Sequence, residues 1–86
     1  MKWEEIRHQY HQQWLLVEAI EARSEAENRI LDDLSVLDTF PNSVIAMQRY
    51  AELHRIDPAR ELYVFHTDRV ELNVTERHWL GVRGVA

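Results

Sequence analysis

Seven residues, Glu61-Leu62-Tyr63-Val64-Phe65-His66-Thr67, constrain this chain more than any others. β-Branched and aromatic residues crowd together there, Pro58 stands just upstream, and Thr67-Asp68 offers a stop, so the stretch reads as a β-strand. Alternation puts Leu62, Val64 and His66 on one face and Tyr63 and Phe65 on the other. Both faces are largely apolar, which predicts a central strand covered on two sides. What supplies that cover is the structural question the sequence poses.

One cover is a helix over residues 43–55. Pro41-Asn42-Ser43 stops what precedes it and provides an N-cap, Asn42 or Ser43. At 100° per residue Val44, Met47, Tyr50, Ala51 and His54 share one side, with Ala46 and Leu53 at its edge. Gln48, Arg49, Glu52 and Arg55 take the other side, and Ile45 is left as an apolar residue on the polar face. A short helix is also expected over residues 2–10. Trp3, Ile6 and Tyr10 follow helical spacing there, and Glu4 and Glu5 suit the positive end of the helix dipole.

Residues 14–40 admit two readings. Ala19, Ala22, Ala26, Ile30, Leu34 and Leu37 line one stripe of a continuous helix. Alternatively, Trp14-Leu15-Leu16-Val17 and Leu34–Phe40 are the base strands of a long β-hairpin turning at Ser24–Asn28. The hairpin explains why apolar residues gather at the base and charges at the tip. Six acids against Arg23 and Arg29 lie between Glu18 and Asp33, which predicts an acidic projecting arm. A turn centred near Glu25–Ala26 sets Trp14–Val17 opposite Leu34–Leu37. Further on, Val70, Leu72 and Val74 alternate with polar residues as in a half-buried strand over 69–75. The tail, 76–86, carries Trp79, Leu80 and Val82, a heavy apolar load that needs a surface to dock on.

The segments Glu5 to Tyr10, Trp14-Leu15-Leu16-Val17-Glu18, Glu61 to Thr67 and Trp79-Leu80-Gly81-Val82-Arg83 together resemble a family of short bacterial proteins of unassigned function. That family is similar in having a helix, an aromatic-led strand, a hairpin return, a second helix and an "ELYV-x-HT" strand. The resemblance implies the hairpin rather than the long helix over 14–40. It implies no functional residue. One departure is His11, where such proteins tend to carry Pro after the tyrosine.

Composition excludes several function classes. Eighty-six residues allow one domain with a small core. The absence of cysteine removes disulfides and thiolate zinc sites and fits a reducing, cytoplasmic setting. The charged start Met1-Lys2-Trp3-Glu4-Glu5 has no apolar core of a signal peptide, and no apolar run approaches the ~20 residues of a membrane span. The net charge of −5 lies wholly in residues 1–40, with four Lys/Arg against nine Asp/Glu, while residues 41–86 balance six against six. No basic stripe for nucleic acid is present.

The residues able to carry chemistry are few. His8 and His11 form H-x-x-H with Glu4 one turn earlier, so on a helix the three are candidate metal ligands. The spacing is common by chance, and a solvated polar face beside Gln9, Gln12 and Gln13 is the reading preferred over a metal site. Val36-Leu37-Asp38-Thr39-Phe40 resembles the apolar-apolar-Asp-Thr-Gly loop of aspartic proteases, but Phe40 replaces the glycine that loop requires, which leaves Asp38 as a strand-end cap. His66 is a candidate general base; as a core histidine it would pair with backbone or with His54. No cysteine nucleophile, G-x-S-x-G or glycine-rich phosphate loop accompanies it.

The resulting expectation is an α+β domain: a small antiparallel sheet of three or four strands with a long hairpin, one main helix on a face, and a short N-terminal helix. One helix covers one face of 61–67, leaving a surplus. That surplus predicts a non-enzymatic interaction or regulatory module acting as a homodimer, with no catalytic residue and no cofactor. Tyr63, Phe65, Trp14 and Trp79 are its interface candidates, joined through the second sheet face or by exchanged hairpin arms. The alternative is a metal-dependent or histidine-based enzyme using His8/His11 or His66.

Overall fold

The computed structural model describes residues 1–72 and 74–75. They form an α+β fold in the order α1 (Trp3–Gln9), β1 (Trp14–Glu25), β2 (Asn28–Phe40), α2 (Ser43–Ile56), β3 (Leu62–His66) and β4 (Val74–Thr75). The strands make one antiparallel sheet in the order β3-β1-β2-β4. The expected tail over 76–86, and with it Trp79, lies outside the described residues.

The long hairpin is present, and its register differs from the expectation. Glu25 pairs with Asn28, so the turn is Ala26-Glu27, with Ala26 in the left-handed region at φ 54. Three irregularities, at Leu16/Val17, Ala19/Glu21 and Glu21/Ala22, shift the ladder as it runs to the base. Trp14 consequently meets Phe40, and Val17 meets Val36.

The strand at 61–67 is at the sheet's edge among the described residues, not at its centre. The centre belongs to β1, where Leu15, Leu16 and Val17 are all fully buried. Three consecutive buried residues require cover on both faces, because successive side chains point opposite ways. On one face Leu15, Val17, Leu34, Tyr63 and Phe65 pack with Trp3 and Ile6 of α1. On the other, Leu16 and Leu62 pack beneath Tyr50 of α2, with Leu37, Phe40, Leu53 and Val64 around them. The second face of β3, expected to be uncovered, is therefore filled by the short N-terminal helix.

The expected strand over 69–75 reduces to Val74–Thr75, which pairs with Asn28 and Arg29 near the hairpin tip. Before it the chain crosses the α1 face of the sheet. Trp3 Nε1 donates to the Arg69 carbonyl at 2.7 Å, the Arg69 guanidinium lies 5.3 Å from the Phe65 ring centre, and Leu72 joins the core. These side-chain contacts hold the segment where a ladder would have run.

Candidate interaction surface

Helix α2 is rotated relative to the expectation. Its inward residues are Ser43, Ala46, Tyr50 and Leu53, with Ala46 and Tyr50 buried, whereas Val44 is 65% and Met47 42% exposed. Ser43 and Ala46 are small, so turning them inward brings the helix backbone close to the sheet and leaves the depth for Tyr50. The bulkier Val44 and Met47 are displaced to the flank. Asn42 begins the helix, its Oδ1 accepting from Ile45 N at 3.0 Å, and Ile45 is exposed as its wheel position implied.

The backbone shows which way that flank faces. Ala19 N donates to Glu61 O (2.9 Å) and Thr67 N to Gln13 O (3.0 Å), so residues 61, 63, 65 and 67 turn their backbone groups toward β1. Leu62, Val64 and His66 turn theirs to the open edge. Leu62 also points its side chain at α2. With L-residues, that combination puts β3 to the right of β1 when the sheet is seen from α2 with β3 running upward. The β2-α2-β3 crossover is therefore right-handed, as such connections nearly always are. A right-handed helix descending on this path carries Val44, Met47, Ala51 and His54 to the side of β3's open edge. Arg49, Ile45 and Ile56 take the opposite flank. Among the described residues an exposed apolar flank and an unpaired strand edge thus lie side by side.

Two ion pairs fasten the start of β3, one on each face of the sheet. On the α2 face Arg60 grips Glu18 through Nε and Nη2 at 3.1 and 2.8 Å. This guanidinium holds the Glu18 carboxyl below its ordinary 4.5, and Glu18 in turn raises Arg60. On the α1 face Arg29 reaches both oxygens of Glu61 at 3.0 and 2.8 Å, and Tyr63 Oη donates to Glu61 Oε2 at 2.6 Å. At the far end of β3, buried Thr67 joins three segments. Its backbone N–H donates to Gln13 O, its Oγ1 accepts from Gln13 N at 3.1 Å, and its carbonyl accepts from Arg7 Nε at 3.0 Å. Sequence reasoning missed the long-range ones, since Arg60–Glu18, Gln13–Thr67 and Arg7–Thr67 link residues 42 or more apart and Arg29–Glu61 links residues 32 apart.

The interface candidates Tyr63 and Phe65 prove to be core residues. They stack on each other at 5.5 Å, and Trp3 meets Phe65 edge-on at 5.6 Å. Their expected role as a docking face fails because α1 occupies it. Trp14 is half-buried and packs edge-on against His66 at 5.0 Å.

The histidine candidates are dispersed. α1 ends at Gln9 with Tyr10 extended as its C-cap, and Gln12 has φ 51, so His11 is off the helix that carries Glu4 and His8. The one-face arrangement needed for the three to share an ion is thereby lost. Among the described residues no group of three or more His, Cys, Asp or Glu is placed to hold a metal. His66 Nδ1 accepts from Asp68 N at 3.0 Å, which leaves Nε2 as the proton carrier of the neutral ring and ties the side chain to the Thr67-Asp68 turn. His54 stacks on Tyr50 at 5.7 Å instead of meeting His66. Asp38 Oδ1 accepts from Thr39 N at 2.8 Å, a local bond near the end of β2. No helix among the described residues is long and apolar enough to cross a membrane. Compared with protein-family models, with curated proteins and with solved structures, the chain matches none.

Proposed function

We propose that this chain is a protein-interaction module that works as a cytoplasmic homodimer and performs no chemistry of its own. The observation that carries the reading is the Val44-Met47-Ala51 flank, exposed along the longest helix and adjacent to the open edge of β3. A chain of 86 residues has few large apolar side chains to spare, and leaving them on one flank is costly unless another surface covers them. A second copy is the occupant favoured by charge. The flank itself holds no Lys, Arg, Asp or Glu, whereas the acids behind the net −5 are concentrated on the hairpin.

The polar side chains support the same reading, because half-buried carboxylates and the candidate general base His66 are engaged in structural contacts. Glu18 holds Arg60, Glu61 holds Arg29 and Tyr63, His66 holds the turn, and Asp33 receives the Met1 ammonium. Size exclusion coupled to light scattering at micromolar concentration tests the proposal. The expected mass is twice the chain's 10.3 kDa; a mass of one chain throughout that range refutes it.

A further inference from the structure

Building on the homodimer reading, we infer that two copies join β3 to β3, antiparallel about a two-fold axis at Val64, into one continuous eight-stranded sheet with the two α2 flanks packed across the axis. The edge supplies the bonds. Leu62, Val64 and His66 turn their N–H and C=O groups away from β1, and an antiparallel ladder centred on Val64 pairs Val64 with its own copy and Leu62 with His66. The edge carries none of the usual blocks against such pairing: Leu62–His66 contains no proline, no lysine and no bulge.

The register is chosen by charge. Centring on Val64 brings Asp68 level with Arg60 of the second copy at both ends of the seam. Asp68 is largely exposed, and Arg60 keeps a third of its side chain accessible beyond its grip on Glu18. Shifting the centre by two residues either way loses this match and shortens the ladder. The same two-fold sends the acidic hairpin tips to opposite ends of the dimer, because β1 and β2 run antiparallel to their copies. Self-repulsion from the −5 of each chain is thereby kept low.

Helix α2 completes the fit. A two-fold perpendicular to the sheet places both copies of α2 on the same face, antiparallel to each other. α2 lies mainly over β3 and β1. With strands ~4.8 Å apart, the two helix axes then come within about 10 Å, the ordinary helix-packing distance. Tyr50 sits over Leu16 and Leu62, so the axis through Val64 passes beside the Met47–Ala51 turn. Met47 of each copy meets Ala51 of the other, and Val44 meets His54. The flank that faces the open edge is therefore the flank this arrangement buries.

Amide hydrogen exchange with light scattering, on the full chain and on Met47→Glu, tests the pairing. Met47 is at the surface of one chain, so the glutamate leaves the fold intact, as the far-UV circular dichroism will report. In the dimer the Val64 amide should be as protected as the Phe65 amide, which bonds to β1 in any case. In M47E, with like charges at the axis, dimerisation should weaken by about 100-fold. The Val64 amide should then exchange about as fast as an open edge amide while Phe65 stays protected. A dimer in which Val64 exchanges freely, or whose affinity M47E leaves unchanged, overturns this arrangement and leaves the homodimer standing. A monomeric wild type overturns both.

Discussion

The two helices are held by different means. α1 has seven residues and buries Trp3 and Ile6 in the larger of the two core clusters. α2 has fourteen, yet buries only Ala46 and Tyr50 and leaves Val44, Ile45 and Met47 at the surface. The short helix is fixed by its side chains, supplemented by Arg7 to Thr67 and by Glu5 reaching back to Lys2 N at 2.9 Å. The long helix is held by Tyr50 and Leu53 over Leu16 and Leu62, with the Asn42 cap at one end and the Arg60–Glu18 strap after the other. Length is a poor guide to how much a helix contributes to the core. The helix that contributes less per residue leaves more apolar surface exposed.

Three substitutions sharpen or break that contrast. The largest effect is expected at α1. Ile6→Ala deletes most of a fully buried side chain between Trp3 and the sheet and should cost about 3 kcal/mol in urea unfolding. A loss below about 1 kcal/mol would show that α1 is dispensable to the core. Next is the start of α2. Asn42→Ala leaves Ile45 N without its acceptor and should cost about 1 kcal/mol, and no measurable change in the melt would show that packing, not capping, anchors the helix.

The smallest effect is at the strap. Glu18 has its carboxyl depressed by Arg60, so the pair adds stability above the unfolded-state value near 4.5 and loses it as pH falls through the lower folded value. Both side chains are partly exposed, so solvent screening keeps the contribution of the pair small. Glu18→Gln should therefore be slightly less stable than wild type at pH 7, with the gap closing well below pH 4. A gap that persists at pH 3 would assign the loss to packing and not to the ion pair.

Much of the secondary structure was legible in residue order because it follows from local rules. The spacing of Trp3 and Ile6, the Asn42 cap and the alternation in Leu62–His66 each specify an element from a few neighbouring residues. A signal for the true centre of the sheet was also present. Leu15-Leu16-Val17 is an unbroken apolar run, the pattern of a strand buried on both faces, and it is shorter and less conspicuous than the aromatic run that drew the expectation to β3. The rotation of α2 was harder to see. Hydrophobic weight on the wheel favours Val44 and Met47, whereas close approach to the sheet favours Ser43 and Ala46, and the wheel does not register distance.

By itself, then, the sequence determined the two helices and the strand at 61–67, where α2 begins, and that residues 61–67 have two apolar faces. Residues 14–40 stayed open between helix and hairpin, and the strand expected over 69–75 is longer than the one that forms. Only the tertiary structure decided that these faces are shared between α1 and α2, that β3 takes the edge, and that Glu61, Glu18 and Thr67 are tied to residues far along the chain. The physical reason is that periodicity records which side of an element is apolar, while strand order depends on which distant partners bury that side together. The edge position of β3 among the described residues and the exposed flank of α2 beside it belong to this second class.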